Sequence, residues 1–196
     1  MSTLLSSLRT KIRAPGEPFS MQSLSGTLSE LSGPAVLTAA MLKVREAQRA
    51  AEPVAWVSHP DSIFYAPDVE ESGIDLEALA VIRVPGAEAA RAGEMLVRNG
   101  GFGLVVIDLQ ARASIQTPLL SRMLGLAQKH EVAVLFLTQR GEHDGSLDSL
   151  IAMRAWATAP RTAPGEFTLS VKALKDKRHA PNWTANEVCR GPTGLR

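Results

Sequence analysis

Cysteine is almost missing from this chain. Cys189 stands alone, so no disulfide can close within it, and a reducing compartment is the expected setting. No Cys/His set has zinc-ligand spacing, and His59 and His143 sit in loop-like sequence without other ligand residues, so both read as surface residues and no metal is expected. Long apolar runs are lacking too. The longest, near Leu104–Ile107 and Val132–Leu137, fall far short of the roughly 20 residues needed to cross a bilayer. The first residues do not carry the apolar run of a signal peptide. Together these set the expectation of a cytoplasmic protein with no membrane partner. There is also no excess of charge: the net formal charge is +1, so bulk attraction to nucleic acid is excluded and any basic surface must be local. Internal repeats and low-complexity segments are absent.

The sequence that is present reads as one ordinary domain. Its 196 residues are enough to enclose a core, and 45% hydrophobic against 21% charged residues is usual for a globular protein. Residues 2–13 place Leu4, Leu5, Leu8 and Ile12 at helical spacing, and Ala14-Pro15-Gly16-Glu17-Pro18 breaks the pattern. Residues 1–20 are therefore expected to form an arm, and 21–196 the main domain.

From Gly26 onward, strands and helices alternate. Strands are expected at Thr27–Leu31, Val54–Val57, Val81–Val84, Leu104–Ile107 and Val132–Leu137. The last two are continuous apolar runs, as in strands buried on both faces. Between them lie a helix with Leu37, Ala40, Met41 and Val44 on one face, a helix over 87–98 with Ala92, Met95 and Leu96 inward, and a helix from Thr117-Pro118 to about Lys129 burying Leu119, Leu120, Met123 and Leu124. Thr117 followed by a proline is a good helix start. This alternation predicts an α/β fold with a mostly parallel sheet flanked by helices. Later, Phe167, Leu169, Val171 and Ala173 alternate with polar residues, which predicts an antiparallel strand at the sheet's edge toward the C-terminus. Trp56 is expected in the core. Trp156 and Trp183 are read as core residues or as interface anchors, and Cys189 as a small apolar residue on a late strand.

Several segments resemble the core of bacterial RecA recombinases, in the same order. They are Ser25–Pro34, Tyr65-Ala66 with Ser72–Leu79, Glu94–Gly100 with Leu104–Asp108, Leu135–Arg140, and Leu174–Pro181. The resemblance spans about residues 24 to 196 and implies a RecA-like fold. It also points to what this chain does without. A phosphate loop reads GxxxxGK[ST]: backbone amides wrap the phosphates and the lysine neutralises them. Here Gly33-Pro34 runs directly into Ala35-Val36-Leu37-Thr38. Against the family, about three residues are gone, with the second glycine and the lysine among them. Lys43 lies more than two helical turns along and cannot replace that lysine.

The remaining family positions follow residue by residue. Asp108 matches the magnesium-associated aspartate, and is read either as functional or as a structural relic. The catalytic glutamate is expected near Ser58-His59-Pro60, where none stands. Gln139 matches the glutamine that senses nucleotide state, or is a polar strand-end residue. The two DNA-binding loops are cut back, the second to an acidic remnant, Gly141–Gly145, which would repel phosphates. Lys175 and Lys177 match lysines presented across a subunit interface. With Arg178 they belong to a C-terminal stretch, from residue 172 on, holding six Lys/Arg against Asp176 and Glu187. That stretch suits an acidic partner or weak DNA binding, or is a solvated face.

Small RecA-like proteins of this kind resemble the ImuA group of mutasome accessory proteins and the SulA group of division inhibitors. The retained RecA-like sequence up to the C-terminus favours the first. What this resemblance implies is a non-catalytic adaptor in DNA-damage-induced translesion synthesis, with no catalytic residues and no cofactor. Gly33, Pro34, Asp108 and Gln139 would mark a degenerate nucleotide site. Its partners would be an ImuB-like homologue of Y-family polymerases, an error-prone DNA polymerase and RecA itself, with Leu4, Leu5, Leu8 and Ile12 as docking residues. The alternatives are a SulA-like inhibitor of cell division, a direct regulator of RecA, and a working NTPase with an unorthodox loop.

Overall fold

The computed structural model describes residues 17–62, 64, 72–109, 114–180 and 182–190. The arm residues Leu4, Leu5, Leu8 and Ile12 lie outside these. A short helix α1 (Met21–Leu24) leads into β1 (Leu28–Ser32), α2 (Val36–Arg49), β2 (Val54–Ser58), β3 (Leu79–Arg83), α3 (Gly86–Asn99), β4 (Leu104–Asp108), α4 (Thr117–His130) and β5 (Ala133–Leu137). Four strands follow: β6 (Met153–Thr158), β7 (Arg161–Ala163), β8 (Glu166–Asp176) and β9 (Thr184–Arg190).

One sheet holds all of these strands, in the order β3-β2-β4-β5-β1-β6-β8-β7, with β9 on β8. Its β3-to-β6 part is parallel, and β7, β8 and β9 pair antiparallel. The period-two geometry of a strand sorts its side chains to two cores. Leu31, Val54, Trp56, Leu104, Val106 and Leu135 face one way, against Ala40, Met41, Val44 and Ala47 of α2. Leu28, Val57, Val105, Ile107, Val134 and Phe136 face the other, against α3 and α4 through Ala89, Val97, Leu120 and Met123. Each fully buried aliphatic side chain contributes roughly 1.5–3 kcal/mol. Close packing of α3 requires Gly93, where a Cβ would stand 2.2 Å from the Ile107 Cδ1.

The expected α/β architecture is present, and several details differ from the sequence reading. Phe19, placed with the arm by that reading, is buried in the α2-side core. Met95, expected inward, is 64% exposed; Ala89, Ala90, Gly93, Glu94 and Val97 fill the inner face of α3 instead. Leu119 and Leu124 are half-buried, and Ala127 completes the inner face of α4. Thr117 does not cap its helix. Gln116 holds the cap position, and the Thr117 hydroxyl donates to Asp148 at 2.9 Å. The strand β8 is not an edge, because β9 pairs along its outer side from Thr184 to Arg190. The strands β6 and β7 were not anticipated: Arg154 interrupts the apolar signal of β6, although β6 sits beside the central β1.

The β8–β9 turn is organised by one carboxylate. Asp176 accepts backbone N–H from Arg178 at 2.8 Å and His179 at 3.1 Å. The Trp183 indole donates to it at 2.8 Å, and the His179 ring lies at 3.0 Å. Trp183 in turn stacks on Phe19, with ring centroids 6.2 Å apart. Burial works against the charge of Asp176, but these donors outweigh it and hold its carboxyl below the usual carboxylate range. Its stabilising contribution is therefore present above the ordinary carboxylate pKa of about 3.9 and is lost as pH falls through the lower folded-state value. Asp176→Ala is expected to lower the free energy of unfolding by roughly 2–4 kcal/mol at neutral pH. Urea titrations of both proteins in progressively more acidic buffer should show that gap narrowing.

Candidate functional site

In open α/β sheets, ligands bind outside the carboxyl ends of the parallel strands, so the connections after β1, β2, β4 and β5 form the candidate site. The turn from β1 to α2 is only Gly33, Pro34 and Ala35. Gly33 has φ +108°, and a Cβ there would stand 2.4 Å from the Ala157 carbonyl oxygen, 2.9 Å from the Ala157 nitrogen and 3.1 Å from the Trp156 ring. The end of β6 thus lies directly against the turn. The Ala35 amide donates to the Ala157 carbonyl at 3.1 Å, and the Val36 amide to the Gly33 carbonyl at 3.2 Å. Two amides at the start of α2 are therefore committed to the chain's own carbonyls. Pro34 and Thr38 are exposed, and Trp156 is half-buried over the turn.

Lys43 is committed elsewhere. Its side chain is 10% exposed and pairs with Glu46. Its ammonium donates to the Phe19 carbonyl at 2.6 Å and lies 4.3 Å over the Phe19 ring.

Asp108 ends β4 and accepts from the Ser62 hydroxyl at 3.1 Å. That hydroxyl also receives the Phe64 amide at 3.2 Å, and Phe64 stacks on Trp56 with centroids 4.4 Å apart. Asp108 thus fastens the segment after β2 to the sheet through a side-chain hydrogen bond. Burial pushes its carboxyl above the usual range, and the Ser62 hydrogen bond only partly offsets this. Gln139 is exposed beyond β5. Ser32 and Ser58, at the ends of β1 and β2, carry buried hydroxyls with no partner among the described residues.

The strongest electrostatic feature near these ends is one the sequence reading did not single out. Glu30, in the middle of β1, is fully buried. Its neighbour across β1–β6 is Arg154, itself 3% exposed. Glu30 accepts from the Thr138 hydroxyl and from the Leu147 amide, both at 2.8 Å. Arg140 and Arg154 place their Nε atoms 3.6 and 3.8 Å from one Glu30 oxygen. Arg154 also donates to the Asp144 carbonyl and, at 2.5 Å, to the Gly141 carbonyl. Buried charge survives only when paired and hydrogen-bonded, and here the pairing fastens the whole β5–β6 connection onto the sheet. The signal is a glutamate in one buried strand and an arginine in another, at positions whose partnership only topology reveals.

The C-terminal basic residues reach the same connection from the other side. Lys175 lies 3.2 Å from the Ser146 hydroxyl and 3.5 Å from the carbonyls of Asp148 and Ser149. Desolvation, with help from Lys177, lowers its pKa below the usual lysine value. Lys177 donates to the Ser149 carbonyl at 2.5 Å. Arg178 instead reaches the carbonyls of Ser23 at 2.8 Å and Ser25 at 3.2 Å, at the end of α1. Lys177 and Arg178 remain exposed. Among the described residues, no three His/Cys/Asp/Glu side chains gather as for a metal ion, and no helix is long and apolar enough to cross a membrane.

Sheet order, flanking helices and the antiparallel C-terminal strands define a RecA-like α/β domain. Among solved structures, the chain is similar to the RadB recombinase, with a TM-score of 0.62 over 83% of this chain and 86% of that one, at 16% identity. At that identity the likeness is one of fold. No protein-family profile matches the chain, and no curated protein matches it in sequence.

Removing the Glu30 charge leaves Arg154 buried without its counter-ion. Glu30→Gln is expected to destabilise the protein by roughly 3–5 kcal/mol, and to speed amide hydrogen exchange first in residues 138–150. Thermal unfolding and exchange mass spectrometry would check both, and a uniform exchange increase would show that the pair stabilises the domain at large and not this connection.

Proposed function

We propose that this chain is a non-catalytic RecA-like adaptor, similar to the ImuA group, that works in DNA-damage-induced translesion synthesis by docking to other proteins. The observation carrying this reading is the turn at Gly33-Pro34-Ala35. Three residues are too few to wrap a phosphate, and the space over Gly33 is taken by the Ala157 backbone. The amides of Ala35 and Val36 are spent on carbonyls. A phosphate would find neither the cradle nor the lysine it needs. Asp108, joined to Ser62, then acts as a structural fastener. Gln139 has no nucleotide to sense, so no cofactor enters the reading.

The short connection at 138–152 supports docking over strand binding. Its acidic residues are Glu142, Asp144 and Asp148, and its peptide carbonyls are held by Arg154, Lys175 and Lys177. Any DNA contact through Lys175, Lys177 and Arg178 is weak and salt-sensitive, because part of their hydrogen-bonding capacity is used within the chain. The partners proposed are an ImuB-like polymerase homologue, an error-prone DNA polymerase and RecA.

The purified chain is expected to give no heat on calorimetric titration with Mg-ATP and no phosphate release. Coexpressed with an ImuB-like protein, it should co-elute with that protein in gel filtration. Micromolar Mg-ATP affinity, or turnover abolished by Asp108→Ala, would overturn the non-catalytic reading; failure to co-elute would remove this partner.

A further inference from the structure

The outer face of α3 and α4, away from the sheet, carries a row of exposed side chains. On α3, Arg91, Met95 and Arg98 recur at i, i+4 and i+7, and all three are exposed. On α4, Arg122, Gly125 and Lys129 recur at i, i+3 and i+7, and they are exposed as well. The two helices lie side by side in register. Glu94 of α3 pairs with Arg98 at 2.5 Å and with Arg122 at 3.6 Å, and Gly100, after α3, lies against the His130 ring. The two rows therefore form one strip, with Met95 in its middle at 64% exposure.

The strip carries four basic side chains, Arg91, Arg98, Arg122 and Lys129, in a nearly neutral chain. Glu94 lies beneath it, 4% exposed, and holds two guanidinium groups close together. Of the other acidic residues on these helices and their ends, Glu88 stands at one end of the strip and Glu131 just past the other. Gly125 adds an independent sign. A glycine inside a helix is destabilising relative to alanine, and packing commonly explains it. At Gly93 it does, through Ile107; at Gly125 a Cβ would meet nothing within 4 Å. Among the described residues nothing occupies the place of that Cβ, so the spot is open to close approach by another molecule.

We infer that the Arg91–Met95–Arg98 and Arg122–Gly125–Lys129 strip is a docking surface for an acidic, leucine-bearing helical segment of a partner protein. An exposed methionine flanked along its helix by Arg91 and Arg98 suits an apolar anchor with carboxylates beside it, since methionine and arginine are enriched at protein interfaces. A phosphate backbone would use the arginines and leave Met95 idle, so nucleic acid fits less well. The inference rests on the docking role proposed above and gives it a surface. It is measured without ATP and without the proposed partners, so either can fail alone.

The test uses the full chain and a fluorescein-labelled helical peptide with leucines on one face and glutamates on the other. Controls are the same peptide with lysines in place of glutamates, and a labelled single-stranded oligonucleotide. Anisotropy should report binding of the acidic peptide only, weakening with salt. Arg91→Glu with Met95→Asp should reduce that affinity about tenfold or more, with the circular dichroism spectrum unchanged. Gly125→Ala should raise the melting temperature and yet weaken peptide binding, a pair of effects that a purely structural glycine would not produce. Equal binding of both peptides, no binding of either, or oligonucleotide binding insensitive to Met95→Asp would overturn the proposal.

Discussion

The carboxylate of Glu30 is the constraint on which the upper half of this domain depends. It sits in the central strand, between β5 and β6, and on the same face as Leu28, whose neighbours are apolar. A charge there is untenable unless surrounded by donors. Arg154 supplies the counter-charge from the adjacent strand, and Thr138, Arg140 and the Leu147 amide complete the shell. Each of these groups belongs to the β5–β6 connection or its ends. That connection has no helix to cover the sheet, and Ile151, fully buried, with half-buried Leu147 and Leu150, supplies the apolar cover instead. The ion cluster fixes its course, and the apolar residues follow.

Placement of β6 has a second consequence. With Arg154 opposite Glu30, the register brings Trp156 beside Ser32 and sets Ala157 over Gly33. The turn into α2 is thus closed by the same strand whose position the buried pair determines. Glycine at 33 is required by both its positive φ and the backbone packed on it, which is a packing reason independent of any ligand.

Much of the architecture was legible in the sequence because burial on both faces leaves a simple mark. Leu104–Ile107 and Val132–Leu137 read as strands buried on both faces, and as β4 and β5 they pair with each other inside the sheet. The edge was harder. β9 carries Asn186, Glu187 and an exposed Val188, since an edge strand needs little apolar surface, and the period-two alternation of its partner β8 points to an edge there instead. β6 was hidden by Arg154, because periodicity treats an arginine as an exterior mark and cannot see a glutamate held opposite it from a strand over a hundred residues earlier. Of the site, the short turn at Gly33 and the aspartate at 108 could be read directly. Ser62 as the partner of Asp108, and the loop carbonyls as partners of Lys175 and Lys177, depend on tertiary contacts that no local pattern records.

Met95 shows how a misreading becomes informative. Apolar periodicity assigns it inward, yet Ala89, Ala90 and Gly93 hold much of the inner face of α3, and at Gly93 the helix lies close to Ile107 of β4. That closeness turns Met95 outward and places Glu94 at the α3–α4 seam, where its charge must be met. Arg98 and Arg122 meet it from the surface, so the basic strip is partly a product of packing. Packing accounts for those two arginines and for Gly93. It does not account for Arg91, Lys129, the exposed methionine or the glycine at 125, and these four residues lie along the outer faces of α3 and α4, away from the sheet.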